Sequence, residues 1–288
     1  MNLLSGLINI LRRKLKLSFF SIFDIIVLGD KMISDSIVSQ IKEVVKECGK
    51  TILNADRKNM KIEEKEGIAN IVTNYDVQVQ NILKEKLLLI LPEAKFMGEE
   101  NEEIQEETDD LTFVVDPIDG TNNFARDLGL SAISVGLLQN KKPILGICYN
   151  PYRDELFEAQ KGKGSYLNGK KIHVSDLLLK DGLVACGNAS YYVELKDKSI
   201  EIQNKLIKEA SCYRRLGCAV IEICSIASGR TEAYFELKLM PWDFTAASII
   251  LTEAGGKITT LEGKEINYFK PSSILASNDK EDYLKYIW

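Results

Sequence analysis

The spacing of apolar residues along the chain predicts a series of helices. From Ser34 to Leu53 apolar residues recur every three or four positions, which is the period of a helix that buries one face. A second pattern of this kind runs from Val77 to Leu91 and is closed by Pro92, because proline cannot continue a helix. Further helices are predicted at about 200–210, 218–228 and 243–254.

Short apolar runs bounded by turn residues predict strands. Two of them, Lys95–Met97 and Leu111–Val115, are separated by the acidic stretch GEENEEIQEETDD, which is typical of a solvated loop. Strands are also predicted in SAISVGLLQ, PILGICYNP, DELFEAQ, LVACG, SCYRRLG, TEAYFE and GKITT, and a hairpin turn at Asn168-Gly169. Because these elements are interleaved without repeats or linkers, we expect an α/β fold of packed layers.

The domain organisation follows from the same pattern. We expect residues 32–288 to form one domain of two packed lobes, about 32–180 and 181–288. Residues 1–31 carry a basic stretch, Arg12–Lys16, ahead of an apolar run, Leu17–Leu28, that is too short to span a bilayer. This extension is interpreted as a membrane-surface or partner-binding helix, a non-native addition upstream of Met32, or an export signal. We expect no stable membrane insertion.

Composition narrows the possible chemistry. The net charge of −5 and the pI near 5.3 provide no basic field for a nucleic-acid partner. Six cysteines without a CxxC pair indicate reduced thiols, and therefore a cytoplasmic protein. The single histidine, His173, lies in a hairpin pattern, so a Ser-His-Asp or Cys-His mechanism is not expected.

The most informative segment is DPIDGTNNF, from Asp116 to Phe124, directly after an apolar strand. Pro117 lacks a backbone donor, so we expect the chain to turn there and not to pair onward. Gly120 permits close backbone approach, and the amides that follow it can open a helical turn that attracts anions. Carboxylates would repel an anion bound beside them unless a divalent cation lies between the two. Mg²⁺ commonly binds in this way, between protein carboxylates and a phosphate.

Two further acidic segments support this interpretation. GEE, at Gly98–Glu100, follows the preceding strand, and PWDFTAASIILTEAGG places Asp243 in the first turn of a predicted helix. Each acid also has a structural interpretation, because Asp is favoured near helix starts on stability grounds alone.

Together, GEE, DPIDGTNNF and WDFTAASIILTEAGG, in this order and at these separations, resemble the inositol monophosphatase family. The wider group includes fructose-1,6-bisphosphatases and bisphosphate nucleotidases. The likeness covers about Ile33 to Ser277, and the extension before Met32 departs from the family. The resemblance implies a layered αβαβα sandwich and Mg²⁺-dependent hydrolysis of a phosphate monoester.

The resemblance also implies site residues. The implied metal ligands are Glu99, Asp116, Asp119, Asp243 and the carbonyl of Ile118; the implied catalytic residues are Thr121, Asp76 and Glu99; and the implied substrate contacts are Gly120, Thr121, Glu236 and Asp243. Two or three Mg²⁺ ions would activate a water that attacks phosphorus in line, with Thr121 and Asp76 orienting it. Lithium inhibition and a homodimer are further implications.

The expected substrate is myo-inositol monophosphate or a related polyol or sugar phosphate. Fructose-1,6-bisphosphatase activity and 3′(2′),5′-bisphosphate nucleotidase activity remain alternatives, and a structural Ca²⁺-binding module is the non-enzymatic one. CSIASGRT, at Cys224–Thr231, also satisfies the Cys-x5-Arg spacing of cysteine phosphatases. Its apolar residues have helical spacing, so we expect Cys224 to be a core thiol.

Overall fold

A computed structural model of the chain describes residues 33–65, 70–100, 106–189 and 191–287. The predictions made for residues 1–31 lie outside these ranges. The chain divides into two compact units, residues 1–38 and 39–288, and all predicted site residues belong to the second.

Five of the six α-helices in the described ranges lie where the apolar periodicity predicts them, and the short α3 is the helical turn expected after Gly120. In chain order they are α1 (Asp35–Leu53), α2 (Asn74–Ile90), α3 (Thr121–Ala125), α4 (Lys196–Glu209), α5 (Ala219–Ala227) and α6 (Pro241–Glu253). Short 3-10 turns occur at Leu179–Asp181, Val193–Leu195 and Tyr283–Tyr286. Helix α2 begins three residues before the predicted start because Thr73 and Asp76 cap its first turn reciprocally. None of the helices in the described ranges combines the length and apolar character that a bilayer crossing requires.

The strands form three sheets. A two-stranded sheet pairs β1 (Ile62–Glu64) with β2 (Ile71–Thr73). The seven-stranded sheet contains, in spatial order, β3 (Lys95–Gly98), β4 (Thr112–Asp119), β5 (Ala132–Gln139), β6 (Lys142–Asn150), β7 (Glu155–Gln160), β8 (Gly164–Leu167) and β9 (Lys170–Ile172). Its strands are antiparallel except for the parallel pair β3 and β4.

The five-stranded sheet has the order β11, β10, β12, β14, β13. These strands are β10 (Leu183–Cys186), β11 (Cys212–Arg214), β12 (Ala233–Leu239), β13 (Lys257–Thr259) and β14 (Ser272–Ser277). The sequence pattern did not predict β1, β2 or β14, because these strands are short or mix polar with apolar residues.

The two larger sheets enclose helices α5 and α6. Helix α6 packs on β4 to β8, and α5 packs between α6 and strands β12 and β14. On the outer faces, α2 contacts β3 and β4, Gly49 of α1 lies against the ring of Tyr149, and α4 contacts β10. The predicted αβαβα layering is therefore confirmed. The core between the sheets includes Cys148, Phe157 and Tyr234.

The predicted turn at Pro117 is wrong. Strand β4 continues through Pro117 to Asp119, where it pairs again with Ala132 of β5, and the register shifts between Asp116 and Asp119. A strand tolerates proline at such a bulge because the backbone donor that proline lacks is not needed there. The bulge keeps both aspartates on the strand and changes their orientation relative to a regular pleat.

Candidate active site

The carboxyl end of β4 supplies three of the predicted metal ligands. Asp116 is buried, and its Oδ1 accepts a hydrogen bond of 2.9 Å from the amide of Ile118. Asp119 Oδ2 accepts from the amide of Val220 at 2.6 Å and from Cys218 Sγ at 3.1 Å. These bonds are made to Asp116 Oδ1 and Asp119 Oδ2, and both side chains line the cavity described below.

Gly120 and Thr121 form the junction between β4 and α3. Gly120 has φ 86°, and a Cβ there would lie 3.0 Å from the carbonyl oxygen of Leu130, so glycine is required on both conformational and steric grounds. The Thr121 hydroxyl lies within donating distance of Asp76 Oδ1, at 3.1 Å, and of the carbonyl of Ile118, at 3.2 Å. The predicted pairing of Thr121 with Asp76 is thus present.

Asp76 has a structural role and remains available to Thr121. Its Oδ2 accepts from the backbone amide of Thr73 at 2.8 Å and from the Thr73 hydroxyl, which fixes the start of α2. Burial raises the pKa of Asp76 to about 6, although the hydrogen bonds from Thr73 favour its charged form. Near neutral pH the group is mostly ionised and can still accept a proton.

Glu99 and Glu100 follow β3 and share one lysine. Lys65 Nζ lies 2.8 Å from Glu99 Oε1 and 2.7 Å from Glu100 Oε1. The side chain of Gln80, from α2, accepts from the amide of Glu100 at 2.8 Å and donates to its carbonyl. Burial raises the pKa of Glu100 to about 7, with a further contribution from Glu99. Sequence reasoning missed both Lys65 and Gln80, because neither belongs to a recognisable motif.

Asp243 has the structural role that its position near a helix start predicts, and its role as a metal ligand stays a prediction. It occupies the third position of α6, where its Oδ2 accepts from the amide of Met240 at 2.8 Å in a capping box. It also lines the same cavity as the other predicted acids. Burial, together with the charges of Asp119 and Glu99, raises its pKa well above the usual range.

Eight of the predicted site residues line one cavity of about 290 Å³. They are Glu99, Asp116, Ile118, Asp119, Gly120, Thr121, Glu236 and Asp243. The ninth, Asp76, reaches this set through its hydrogen bond with Thr121.

The acids of this cavity destabilise one another when all are charged. Burial raises the pKa of Asp116 well above its usual range, and Glu99 and Asp119 raise it further. Burial likewise raises the pKa of Asp119 to about 6, against the hydrogen bonds from Val220 and Cys218. Such a set is compatible with neighbouring cations or with partial protonation.

The donors fit a hard divalent cation by their chemistry. They are carboxylate and carbonyl oxygens, which Mg²⁺ and Ca²⁺ prefer. In the described parts of the chain, no three His, Cys, Asp or Glu side chains already surround one point as a metal shell does. In this arrangement Glu99 is paired with Lys65 at 2.8 Å.

Glu236, from β12, also lines the cavity. Its Oε1 accepts from the amides of Ala189 at 3.0 Å and Leu237 at 2.9 Å. Its carboxylate also lies against Gly187, where any Cβ would collide with Oε2. Burial raises its pKa, which these amide bonds oppose. The wall therefore holds this acceptor in one orientation.

Several further residues that line the cavity were not identified from the sequence. They are Tyr191, Tyr192, Arg215, Cys218, Glu222 and Lys238. Burial and the charge of Asp243 raise the pKa of Tyr191 to about 12, so its hydroxyl stays protonated and can donate. No motif marks these positions, because they come from a loop, a strand and a helix that meet only in the folded chain.

Cys224, Arg230 and His173, which a cysteine-based or histidine-based mechanism would use, do not line the cavity. Cys224 is 1% exposed in α5 within the core, and Arg230 forms a bidentate pair with Glu155 at 3.1 and 2.7 Å. The expectation of a core thiol is confirmed, since a cysteine phosphatase needs both groups at one open site. His173 is exposed just after β9 and does not line the cavity.

Comparisons with known proteins agree with this geometry. The model of the Inositol monophosphatase family matches residues 34–288. The chain is 30% identical to the Inositol-1-monophosphatase of Bacillus subtilis over 239 residues, covering 82% of this chain and 90% of that protein. It is 32% identical to the Nus factor SuhB of Escherichia coli K12 over 215 residues, covering 74% and 80%.

A solved structure supports the same assignment. The fold matches the crystal structure of SaIMPase-II with bound inositol monophosphate at a TM-score of 0.74 and 28% identity, covering 87% of this chain and 94% of that one.

Proposed function

The chain belongs to the inositol monophosphatase family and is a phosphatase, and from this premise we propose that it hydrolyses myo-inositol monophosphate or a related polyol or sugar phosphate with Mg²⁺. The observation that carries the proposal is the single cavity that collects the predicted ligands beside Thr121 and Asp76. A structural Ca²⁺ module would not require the Thr121 and Asp76 pair.

The metal site is proposed at the acidic end of the cavity. Glu99, Asp116, Asp119, Asp243 and the Ile118 carbonyl would hold two or three Mg²⁺ ions. When bound, Mg²⁺ supplies charge neutralisation, a lowered pKa for a water nucleophile and stabilisation of the leaving oxygen. Glu99 would exchange its ion pair with Lys65 for this role, and Glu100 would keep Lys65 in place.

Thr121 and Asp76 would orient the attacking water and accept its proton. Asp76 holds the Thr121 hydroxyl by its Oδ1, which orients the hydroxyl oxygen as an acceptor for water. Because the pKa of Asp76 is about 6, the carboxylate is available as a base near neutral pH. The amides of Gly120 and Thr121 are proposed to receive the phosphoryl oxygens.

Glu236 would select a polyol. Its carboxylate lines the cavity and is fixed by two backbone amides, and it can accept hydrogen bonds from sugar hydroxyls. Inositol monophosphate bound to the structural relative SaIMPase-II supports this class of substrate. Fructose-1,6-bisphosphate and nucleoside bisphosphates are the alternative substrates.

Other properties are part of the same proposal and rest on family membership. They are lithium sensitivity, a homodimer and a single catalytic domain over residues 32–288. A cytoplasmic location is supported by six free cysteines, five of them buried.

Phosphate release from inositol 1-phosphate tests the function. With Mg²⁺, the wild-type chain is expected to release phosphate, and Asp119→Asn is expected to lose at least about a hundredfold in kcat, because a metal ligand is removed. Asp109→Asn, at an exposed position outside the cavity, is the matched control. If no polyol, sugar or nucleotide phosphate is hydrolysed by the folded wild-type chain, the proposal is wrong.

A further inference from the structure

Gln80 is a buried amide of helix α2 that the proposed chemistry does not use. Its side chain is buried, and it lies one helical turn after Asp76 on the same face of α2. Asp76 bonds the Thr121 hydroxyl, whereas Gln80 bonds the backbone of Glu100, next to Glu99. Two successive turns of one helix therefore contact the segments that follow β3 and β4.

Both ends of the Gln80 amide bind the backbone of one residue. Its Oε1 accepts from the amide of Glu100 at 2.8 Å, and its Nε2 donates to the carbonyl of Glu100. Both residues are 4% exposed, so these bonds are shielded from water. The amide holds one orientation, because rotation of the side chain would leave buried donors and acceptors without partners.

The end of strand β3 is shaped to receive this amide. A Cβ on Gly98 would collide with Oε1 of Gln80 and would lie 2.8 Å from its Cδ. A side-chain end can usually move aside, but here two hydrogen bonds hold it in place. Glycine therefore allows the close approach of Gln80 to the strand, which gives the glycine of the GEE motif a physical reason.

The backbone of Glu99 is held on both sides. Its amide donates to the carbonyl of Val115 in β4 at 3.2 Å, and the next residue, Glu100, is bound by Gln80. The Glu99 carboxylate is paired with Lys65, whose flexible side chain does not by itself fix an orientation. The direction of the Glu99 side chain therefore depends on the backbone that Gln80 holds.

We propose that Gln80 is a positioning residue for the metal site, because it fixes the backbone of Glu100 and thereby the direction in which Glu99 presents its carboxylate to Mg²⁺. This inference rests on the proposed function and adds a residue that no sequence motif indicates. Gln80 acts through Glu100 and Glu99 and touches neither the metal nor the substrate. Its loss should weaken metal binding more than it slows the chemical step, because outer partners of metal ligands set metal affinity.

Mg²⁺ titration of the purified full chain by calorimetry, without substrate, tests the inference. Gln80→Met keeps the side-chain length and removes both hydrogen bonds, and it is expected to bind Mg²⁺ about tenfold more weakly than the wild type. Gln80→Asn keeps an amide but is one methylene shorter, so it cannot reach both backbone groups of Glu100. It is also expected to bind Mg²⁺ more weakly, and it decides the test if Gln80→Met does not fold.

The kinetics of inositol 1-phosphate hydrolysis provide a second readout. In Gln80→Met the Mg²⁺ concentration for half-maximal rate is expected to rise about tenfold, in parallel with the calorimetric Kd. The kcat at saturating Mg²⁺ is expected to stay close to that of the wild type, because excess metal restores the occupied site. A purely structural role would not produce this split between Mg²⁺ affinity and kcat.

Two variants of the same helix separate positioning from a loss of stability. Gln78→Met changes an exposed glutamine of α2, and Leu83→Ala truncates a fully buried side chain that does not line the cavity. Leu83→Ala is expected to lower the melting temperature in EDTA, and both variants are expected to keep the wild-type Mg²⁺ affinity. Unchanged affinity in the folded Gln80 variants, or an equal loss in Leu83→Ala, would overturn the inference.

The outcomes distinguish this inference from the proposed function. If Gln80→Met binds Mg²⁺ more weakly but the wild type releases no phosphate from any ester, only the proposed function is rejected. If the wild type is active and Gln80→Met binds Mg²⁺ equally well, only the inference is rejected. A folded wild-type chain that does not bind Mg²⁺ rejects both.

Discussion

At the scale of single residues, the cavity acids share a common arrangement. Asp116, Asp119 and Asp243 each accept a hydrogen bond from a nearby backbone amide, that of Ile118, Val220 and Met240 respectively. Asp76 divides its two oxygens between the cap of α2 and Thr121. A carboxylate accepts hydrogen bonds at two oxygens. One such side chain can therefore stabilise the local backbone and also take part in the proposed chemistry.

Glu222 is a buried acid with an incomplete set of partners. Its Oε1 accepts from the amides of Leu216 and Gly217 at 2.5 and 3.1 Å, and its Oε2 has no hydrogen-bond partner among the described residues. Burial raises the pKa of Glu222 to about 7 from its usual 4.5. The folded chain therefore holds this proton more tightly than the unfolded chain does.

This shift predicts a pH dependence of stability. Since the folded pKa is raised, the stabilisation is full below the unfolded pKa and is lost as pH rises through about 7. We expect the unfolding free energy, measured by urea titration in EDTA, to fall between about pH 5 and about pH 8, and to fall less in Glu222→Gln. Glu209→Gln, exposed at the end of α4, should follow the wild type. Equal slopes for wild type and Glu222→Gln would contradict this.

At the scale of elements, the close contact of β6 with α6 positions Asp243. A Cβ on Gly146 would lie 2.3 Å from the carbonyl oxygen of Ala246 and 2.7 Å from Ile249 Cγ2. The obstacle is helix backbone, which cannot move without displacing α6. Glycine is therefore needed for the approach of helix to sheet.

Gly146→Ala is expected to lower the unfolding free energy by about 1–3 kcal/mol or more, because it overpacks the core. Denaturant titration measures the loss, and a shifted α6 should also reduce kcat. Gly49→Ala provides a comparison, since its methyl group would meet the side chains of Tyr149 and Pro151 and not helix backbone. A loss as large in Gly49→Ala would show that the backbone contact is not the cause.

At the scale of the whole molecule, the proposed metal links distant segments. Glu99, Asp119 and Asp243 come from the end of β3, the end of β4 and the start of α6. A cation that binds all three only in the folded chain stabilises the fold by mass action. Stability and metal binding should therefore be coupled.

Mg²⁺ is expected to raise the melting temperature by several degrees over an EDTA-treated sample. Binding at a hundredfold excess over Kd contributes about 2.7 kcal/mol. Asp243→Asn should lose most of this increase, and Asp109→Asn should keep it. Calorimetric scans without substrate measure the effect, which does not depend on turnover. An equal Mg²⁺ response in Asp243→Asn would argue against its role as a ligand.

The sequence alone determined the elements and the acidic motifs. The apolar periods located helices α1, α2, α4, α5 and α6, because helix and strand periods are local properties of the chain. The residues of DPIDGTNNF, GEE and WDFTAASIILTEAGG were also identified from the sequence, since each motif is a contiguous stretch of residues.

Only the tertiary structure decided which of these residues come into contact. The pairing of β4 with β5 around Pro117, the hydrogen bonds of Gln80 with Glu100, the ion pair of Lys65 with Glu99 and the cavity lined by both Asp119 and Asp243 join residues distant in sequence. The strand order and the packing of α5 and α6 between two sheets bring these residues together. Local sequence patterns do not encode such proximity, because it arises from long-range packing that buries the apolar faces of all layers at once.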